Sequence, residues 1–318
     1  MKVGVIGVGH VGGDAALSMA LRGSCRELVL IDADRQLAVS QALDIAQTSA
    51  LACGPKVRAG DYQDLAGAEV VVLAPGINEK AGGADKPGDK EGRLRLLETN
   101  VPIFREVVPK TIAAAPDATL LVASNPLDVM TELTRRLAGG KAVLGTGTFL
   151  DSIRFRTALA EHLQVAPECV SAVVVGEHGL TSVLLWSAVT IGGVSLESYL
   201  TQRRIEGEFL KKAVEEYVKQ GNINIIRGKG ASEFAIGAVI ARVVEAILRD
   251  ERIVIPCSCY SEEYGVTLSL LHRVGRRGVL DEFEIEGNQE EQEGIQRSVG
   301  ALKAAMERLN RNSYPDGA

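Results

Sequence analysis

Over the first 145 residues, short runs of Val, Ile and Leu alternate with longer stretches in which apolar residues recur every three or four positions. The short runs predict strands at residues 2–6, 28–31, 56–59, 70–73, 119–123 and 142–144. The periodic stretches predict helices at 11–22, 37–49, 94–114 and 127–137. Most of the strand runs are apolar at successive positions, as expected of a parallel sheet covered by helices on both faces. This alternation predicts a doubly wound α/β sheet whose strand-end loops gather along one edge.

The pattern changes near Gly145. A helix at 151–163 is followed by strand-like runs at 171–175 and 183–188, then helices at 205–219 and 231–248. Strands near 252–257 and 265–274 and a long helix at 289–309 complete it, and the tail 310–318, with Pro and Gly, is read as frayed. The second half reads as a mixed α+β unit, so the expected division is 1–145 and 146–318. No internal repeat or low-complexity segment interrupts either part.

Composition narrows the function classes. With 318 residues and 46% hydrophobic residues, the chain can bury a full core. A net charge of −6 argues against a phosphate-backbone binder, and 4% aromatic residues argue against a base-stacking surface, so no nucleic-acid partner is expected. No apolar run approaches the roughly 18 residues of a membrane span, and the N-terminal run is too short for a secretion signal. Five scattered cysteines, among them Cys257 and Cys259 at one-residue spacing, predict neither a disulfide framework nor a zinc knuckle. A reduced, cytoplasmic protein without a metal is expected.

Gly7-Val8-Gly9-His10-Val11-Gly12 follows a predicted strand and opens a predicted helix, the setting that gives G-x-G-x-x-G its meaning. Gly7 makes the tight turn, Gly9 lets backbone approach a pyrophosphate, and Gly12 permits close helix–strand packing. The phosphates then sit on the helix N-terminus. Asp32 ends the second strand, twenty residues after Gly12, where a carboxylate accepts from a ribose diol and repels a 2′-phosphate. The expected cofactor is NAD; nearby Arg35 is the one counter-signal, since it could accommodate a phosphate.

Four segments carry polar residues beside predicted strands: Ser124-Asn125-Pro126, residues 145–154, Gly176-Glu177-His178-Gly179, and the loop 76–93. Asp151 and Arg154, three apart on a helix, share one face. His178 has the most site-like setting of the four histidines, in a glycine-rich turn at a strand end. His10 sits in the phosphate turn, while His162 and His272 have ordinary helix and strand surroundings.

Along nearly its whole length the sequence resembles the lactate/malate dehydrogenase family. The resemblance rests on the glycine motif, Leu30-Ile31-Asp32, Ser124-Asn125-Pro126-Leu127-Asp128-Val129, residues 145–156 and Gly176-Glu177-His178-Gly179, in matching order. Residues 145–154 resemble the lactate branch more than the malate branch. The resemblance implies a Rossmann-type NAD-binding domain, a substrate domain, a homodimer or homotetramer, and reversible hydride transfer between NADH and a small 2-oxo acid. It implies that His178 exchanges the hydroxyl proton, Asp151 fixes the imidazole, and Arg154 clamps the substrate carboxylate. It further implies that Asn125 orients the reacting oxygen beside the cofactor, and that Arg93 polarises the carbonyl from a closing loop.

Three positions depart from the family pattern. Leu180 follows His178-Gly179 where Asp or Asn is usual. Ala231-Ser232 replaces Tyr-Thr, which predicts a roomier substrate pocket with Ser232 in its wall. The loop 76–93 carries an insertion of about eight residues, so either Glu79 or Asp85 holds the position that discriminates substrates. An acidic residue there favours a monocarboxylic 2-oxo acid; Lys80, Lys86 or Lys90 turned inward would favour malate instead. An NAD-dependent glycoside hydrolase relative and a non-catalytic NAD-binding regulator are the remaining alternatives. The first lacks a Cys/His pair near the cleft segments, and the set Arg93, Asp151, Arg154 and His178 argues against the second.

Overall fold

The computed structural model describes residues 1–52, 54–77 and 92–313, with backbone alone for 92–94 and 311–313. Strands β1 (Lys2–Ile6), β2 (Glu27–Ile31), β3 (Lys56–Ala59), β4 (Val70–Leu73), β5 (Thr119–Val122) and β6 (Val143–Gly145) pair in parallel, in the order β6-β5-β4-β1-β2-β3. Helices α1 (His10–Arg22), α2 (Arg35–Ala52), α3 (Gly92–Ala114) and α4 (Leu127–Ala138) follow β1, β2, β4 and β5.

The unbroken apolar runs of the strands have a direct cause. Successive side chains enter opposite cores, with Leu28, Leu30, Val70 and Val72 on one side of the sheet. Val29, Ile31, Val71 and Leu73 are on the other. Both faces exclude water, so neither tolerates polar alternation. The expected α/β class is borne out. Strand order reverses around β1, between β2 and β4, and that switch point leaves a crevice beyond the strand ends.

The second half contains α5 (Phe149–Leu163), short strands β7 (Val170–Ser171), β8 (Val174–Val175), β9 (Val183–Leu184), β10 (Thr190–Ile191) and β11 (Val194–Ser195), then α6 (Leu196–Arg203), α7 (Gly207–Lys229) and α8 (Phe234–Leu248). Strands β12 (Ile253–Ser261), β13 (Val266–Gly275) and β14 (Gly278–Glu282) and helix α9 (Gln289–Ser313) follow. The strand expected at 171–175 is two strands in different sheets: β7 pairs with β10 and β8 with β9. Two side chains of the 148–152 segment intervene: Ser152 Oγ accepts the Val174 N–H at 2.8 Å and Thr148 Oγ1 donates to the Val174 carbonyl.

The last three antiparallel strands join the parallel sheet. β12 pairs with β6 at Ser258 and Gly145, which extends the parallel sheet to nine strands. β14 was not expected; it contributes few apolar residues and is defined by the turn at Gly278, φ +80°. Helix α8 lies on α1, where a Cβ on Gly237 would come within 2.8 Å of the Asp14 backbone. The second half is thereby docked onto the first through a shared sheet and a close helix pair.

Helix α7 runs ten residues past its expected end at 219. Glycines at 221 and 228 resemble stop signals, but Leu210, Val214, Val218 and Ile226 keep a buried stripe going at four-residue steps. Asn222 occupies the missing step of that stripe. Helix α8 begins at Phe234 rather than 231, which leaves Ala231 and Ser232 in the connection. Helix α9 reaches Ser313, past the expected fray point at 310.

Candidate active site

A cavity of about 640 Å³ opens at the switch point, lined at one end by Gly7, Gly9, Val11 and Asp32 and at the other by Asn125, Arg154, His178 and Ser232. His10 is also in its wall.

At the nucleotide end, Gly7 holds φ +82° and donates its N–H to the Ile31 carbonyl at 2.8 Å; a Cβ there would strike Pro75 at 2.5 Å. A Cβ on Gly12 would lie 1.9 Å from the Gly7 carbonyl oxygen, so the helix can meet the turn only without a side chain. A Cβ on Gly9 would meet nothing within 4 Å, which leaves space against bare backbone at the start of α1. Asp32 accepts the N–H of Val8 at 2.8 Å and of Asp34 at 3.0 Å, so one carboxylate braces the turn. Its remaining lone pairs can take a diol. Arg35 donates to the Gly60 carbonyl and to Asp61, at 2.9 and 3.1 Å, rather than to Asp32. A bare cradle, a helix N-terminus and an acidic strand end fit NAD.

At the other end, Asp151 and Arg154 share the first turns of α5. Arg154 Nη1 donates to Asp151 Oδ1 at 3.0 Å, and His178 Nδ1 lies 2.7 Å from Asp151 Oδ2. An ionised carboxylate only accepts, so Nδ1 carries the hydrogen and Nε2 is the atom that can exchange a proton. The guanidinium is steadied on its other side by Asn222 Oδ1, 3.4 Å from Nη2. Gly221 leaves room for the arginine stem; a Cβ there would touch its Cδ at 3.6 Å.

Asn125 precedes Pro126 across a cis peptide bond. Its carbonyl accepts from Asn100 Nδ2 at 2.7 Å, while Asn100 Oδ1 accepts the Ile77 N–H at 3.0 Å. Asn100, almost wholly buried, thus ties the loop after β4 to the loop after β5. Ala231 and Ser232 line the cavity. Leu180, the departure after Gly179, is exposed. Arg93 lies in the first turn of α3; its side chain lies outside the described residues, as do Glu79, Asp85, Lys80, Lys86 and Lys90.

Sequence reasoning missed Asn100, Asn222 and Asp128. Asn222 had a usable signal, a polar residue on an otherwise apolar four-residue stripe. Asp128 had one in the motif Ser124-Asn125-Pro126-Leu127-Asp128-Val129, though not its partners; Asn100 had none, since it is recognisable only from what the folded chain brings to it. Asp128 is buried on α4; it accepts the His178 N–H and the Ser258 hydroxyl at 2.8 and 2.6 Å. Burial pushes its carboxyl up to about 6 against those two hydrogen bonds. Cys257 and His272 do approach one another, Sγ to Nδ1 3.6 Å, but neither lines the cavity, and burial holds the thiol protonated.

Residues 1–143 match the profile of the lactate/malate dehydrogenase NAD-binding domain, and residues 148–312 match that of the lactate/malate dehydrogenase alpha/beta C-terminal domain. The chain belongs to the lactate/malate dehydrogenase family. Among relatives, the L-lactate dehydrogenase of Deinococcus radiodurans is 43% identical over 97% of this chain and 99% of that one. That of Chloroherpeton thalassium is 41% identical over 98% and 100%. A ligand-bound crystal structure of the minor L-lactate dehydrogenase from Enterococcus mundtii superposes with a TM-score of 0.89 at 34% identity, covering 97% of this chain and 98% of that chain. The family accounts for both ends of the cavity: an NAD site and a histidine–carboxylate–arginine cluster. The match runs through the C-terminal half as well as the nucleotide-binding domain. The chain is an NAD-dependent oxidoreductase of lactate dehydrogenase type. Among the described residues no helix is long and apolar enough to cross a membrane.

Proposed function

We propose that this enzyme interconverts a small 2-oxo monocarboxylic acid, pyruvate first among them, and its L-2-hydroxy acid. One observation carries the choice of a monocarboxylate. Arg154 is the one lysine or arginine among the described residues lining the cavity. Among the described residues Arg154, Asp151 and His178, one guanidinium stands ready for one substrate carboxylate. The relatives from Deinococcus radiodurans and Chloroherpeton thalassium, each an L-lactate dehydrogenase, support the same reading.

Bound NAD, held by Gly7, Gly9, His10, Val11, Gly12, Asp32 and Asn125, supplies a hydride acceptor or donor at its nicotinamide ring. The chain's residues do the rest. Arg154 takes the substrate carboxylate with paired N–H groups, using donors beyond those given to Asp151 and Asn222. His178 donates a proton from Nε2 to the carbonyl oxygen during reduction and takes it back during oxidation. Asp151 fixes the tautomer and stabilises the imidazolium. Asn125 donates to the same oxygen. Arg93 polarises it from the start of α3, and Ser232 with Glu79 or Asp85 bounds the substrate side chain.

The division at 145/146 is part of this reading, supported by profile matches that end at 143 and resume at 148. So is a homodimer or homotetramer, supported by exposed Leu43, Leu51 and Phe234 on α2 and α8. Cysteine usage supports a cytoplasmic location. The deciding experiment is a panel of 2-oxo acids with NADH, following nicotinamide absorbance. Turnover of pyruvate is expected; no turnover of any 2-oxo acid would overturn the reading.

A further inference from the structure

The turn that carries His178 is fastened at its backbone as well as at its ring. Gly176 exchanges two backbone hydrogen bonds with Ser269 of β13, at 2.8 and 3.0 Å, and the Glu177 N–H reaches Ser298 Oγ of α9 at 3.1 Å. The His178 N–H turns toward α4. It donates to Asp128 Oδ2, 2.8 Å away, while the other carboxylate oxygen accepts from Ser258 of β12 at 2.6 Å. Asp128 is 2% exposed and Ser258 is fully buried, so water does not compete at either oxygen.

Two carboxylates therefore grip one histidine from different helices. Asp151 of α5 holds Nδ1, and Asp128 of α4 holds the main chain. A ring held only at Nδ1 can still swing about that hydrogen bond. Fixing the main-chain nitrogen as well determines where Nε2 points. Asp128 also stands three residues after Asn125, in the first turn of the helix that Asn125-Pro126 introduces. The same rigid turn thus sets the position of the Asn125 loop and of the histidine.

We propose that Asp128 is a positioning residue for the dehydrogenase reaction: it aims His178 Nε2 at the substrate oxygen by anchoring the histidine main chain to α4. It touches neither substrate nor cofactor and acts through His178. The inference rests on the proton-exchange role given to His178 above. What the geometry requires at position 128 is an acceptor for the N–H and a partner for Ser258. An asparagine can supply both, its carbonyl facing His178 and its amide facing the serine oxygen; an alanine supplies neither.

The test compares Asp128→Ala and Asp128→Asn in the full chain. Four quantities are read: kcat and KM for pyruvate at saturating NADH, NADH affinity by fluorescence, and the imidazole Nδ1–H resonance of His178. That resonance is measured by nitrogen-15 NMR without substrate and assigned by its loss in His178→Asn. Asp128→Ala is expected to lose about 30- to 100-fold in kcat, since misplacement near 1 Å carries a penalty of that order. KM and NADH affinity should stay within about threefold, because ground-state binding is untouched. The Nδ1–H signal should shift or broaden, and Asp128→Asn should restore both kcat and signal. Near-wild-type kcat in Asp128→Ala, or an equal loss in Asp128→Asn, would overturn the proposal. Should Asp128→Ala not fold, Ser258→Ala frees one oxygen of the anchor. A fall in kcat at constant NADH affinity then supports the proposal, and an unchanged kcat and signal overturns it. The NMR arm needs no turnover. Wild-type protein inactive on every 2-oxo acid would therefore remove the substrate reading, while the coupling between Asp128 and the His178 ring stood or fell separately.

Discussion

Asp151 Oδ2 and His178 Nδ1 are 2.7 Å apart, in side chains that are both largely buried. This contact decides which imidazole nitrogen faces the substrate. Replacing Asp151 with Asn removes the acceptor-only partner and allows the ring to take the opposite tautomer. Asp151→Asn and His178→Asn are both expected to lower kcat by about 10²–10⁴-fold, the usual contribution of a positioned proton carrier. NADH binding, measured by fluorescence, should hardly change, because the nucleotide contacts lie on other residues. Retained turnover in either variant would remove that residue from the proton path.

Arg154 provides a different kind of test. Its guanidinium is 10% exposed and held between Asp151 and Asn222. Lysine keeps the charge but cannot present two parallel N–H groups to a carboxylate. Arg154→Lys should raise the substrate KM by about 10²-fold, roughly the worth of one charge-assisted hydrogen bond. An unchanged KM for pyruvate would place the substrate carboxylate elsewhere.

The cofactor preference turns on Asp32. Its carboxylate braces the glycine turn through the Val8 N–H, and Arg35, which could have met a 2′-phosphate, is engaged by Asp61 and the Gly60 carbonyl. NADH should be strongly preferred to NADPH. Asp32→Ser should narrow the ratio of their kcat/KM values, chiefly by improving NADPH. Equal efficiency of both cofactors in the wild type would contradict the argument.

The parts of the molecule legible in the sequence are those written in local patterns. β4, and β1 and β2 after their charged first residues Lys2 and Glu27, announce themselves because both faces are buried and no polar side chain interrupts the run. The phosphate turn does so because Gly7 and Gly12 meet backbone that admits no Cβ. Asp151 and Arg154 were placed together by helix spacing alone. What stayed hidden depends on contacts distant in sequence. β12 joins β6 through one pairing, Ser258 with Gly145, that no local pattern records. Asp128 resembles any acidic residue in a first helical turn until His178, fifty residues on, is folded against it. The strand expected at 171–175 divides because side chains on α5 and just before it take up the Val174 backbone.

The burial of Asp128 also has a consequence for stability. Its carboxyl is raised to about 6 from 3.8, with desolvation as the leading cause. The folded state therefore holds this proton more tightly than the unfolded state. Below about pH 4 both states are protonated and the group is neutral in the balance; as pH rises to about 6 the folded state loses stability on the order of 3 kcal/mol, and the penalty is constant above that. Asp128→Asn carries no charge to desolvate. Thermal unfolding should show the variant more stable than wild type at pH 8, with the gap closing toward pH 4. Acid-labile pairs such as Glu132 with Arg135 act equally in both proteins and cancel in the difference. A gap that widens on acidification would contradict the assigned direction.

Substrate choice depends on charge counted at the cavity wall. A dicarboxylic acid such as oxaloacetate brings a second negative charge, and the described lining residues offer it no second lysine or arginine. In a partly desolvated site an unbalanced carboxylate is costly, and either acidic residue of the 76–93 loop turned inward would add repulsion. Ala231 and Ser232 leave room for a neutral side chain instead. Pyruvate or a slightly longer 2-oxo monocarboxylate is therefore expected to exceed oxaloacetate in kcat/KM by tenfold or more, which corresponds to about 1.4 kcal/mol of transition-state preference. Side-by-side kinetics with the three acids decide the matter. If oxaloacetate wins, the missing cation must come from the loop. Substituting Lys80, Lys86 and Lys90 in turn should then abolish the preference at the one that meets the second carboxylate, while pyruvate turnover remains unchanged.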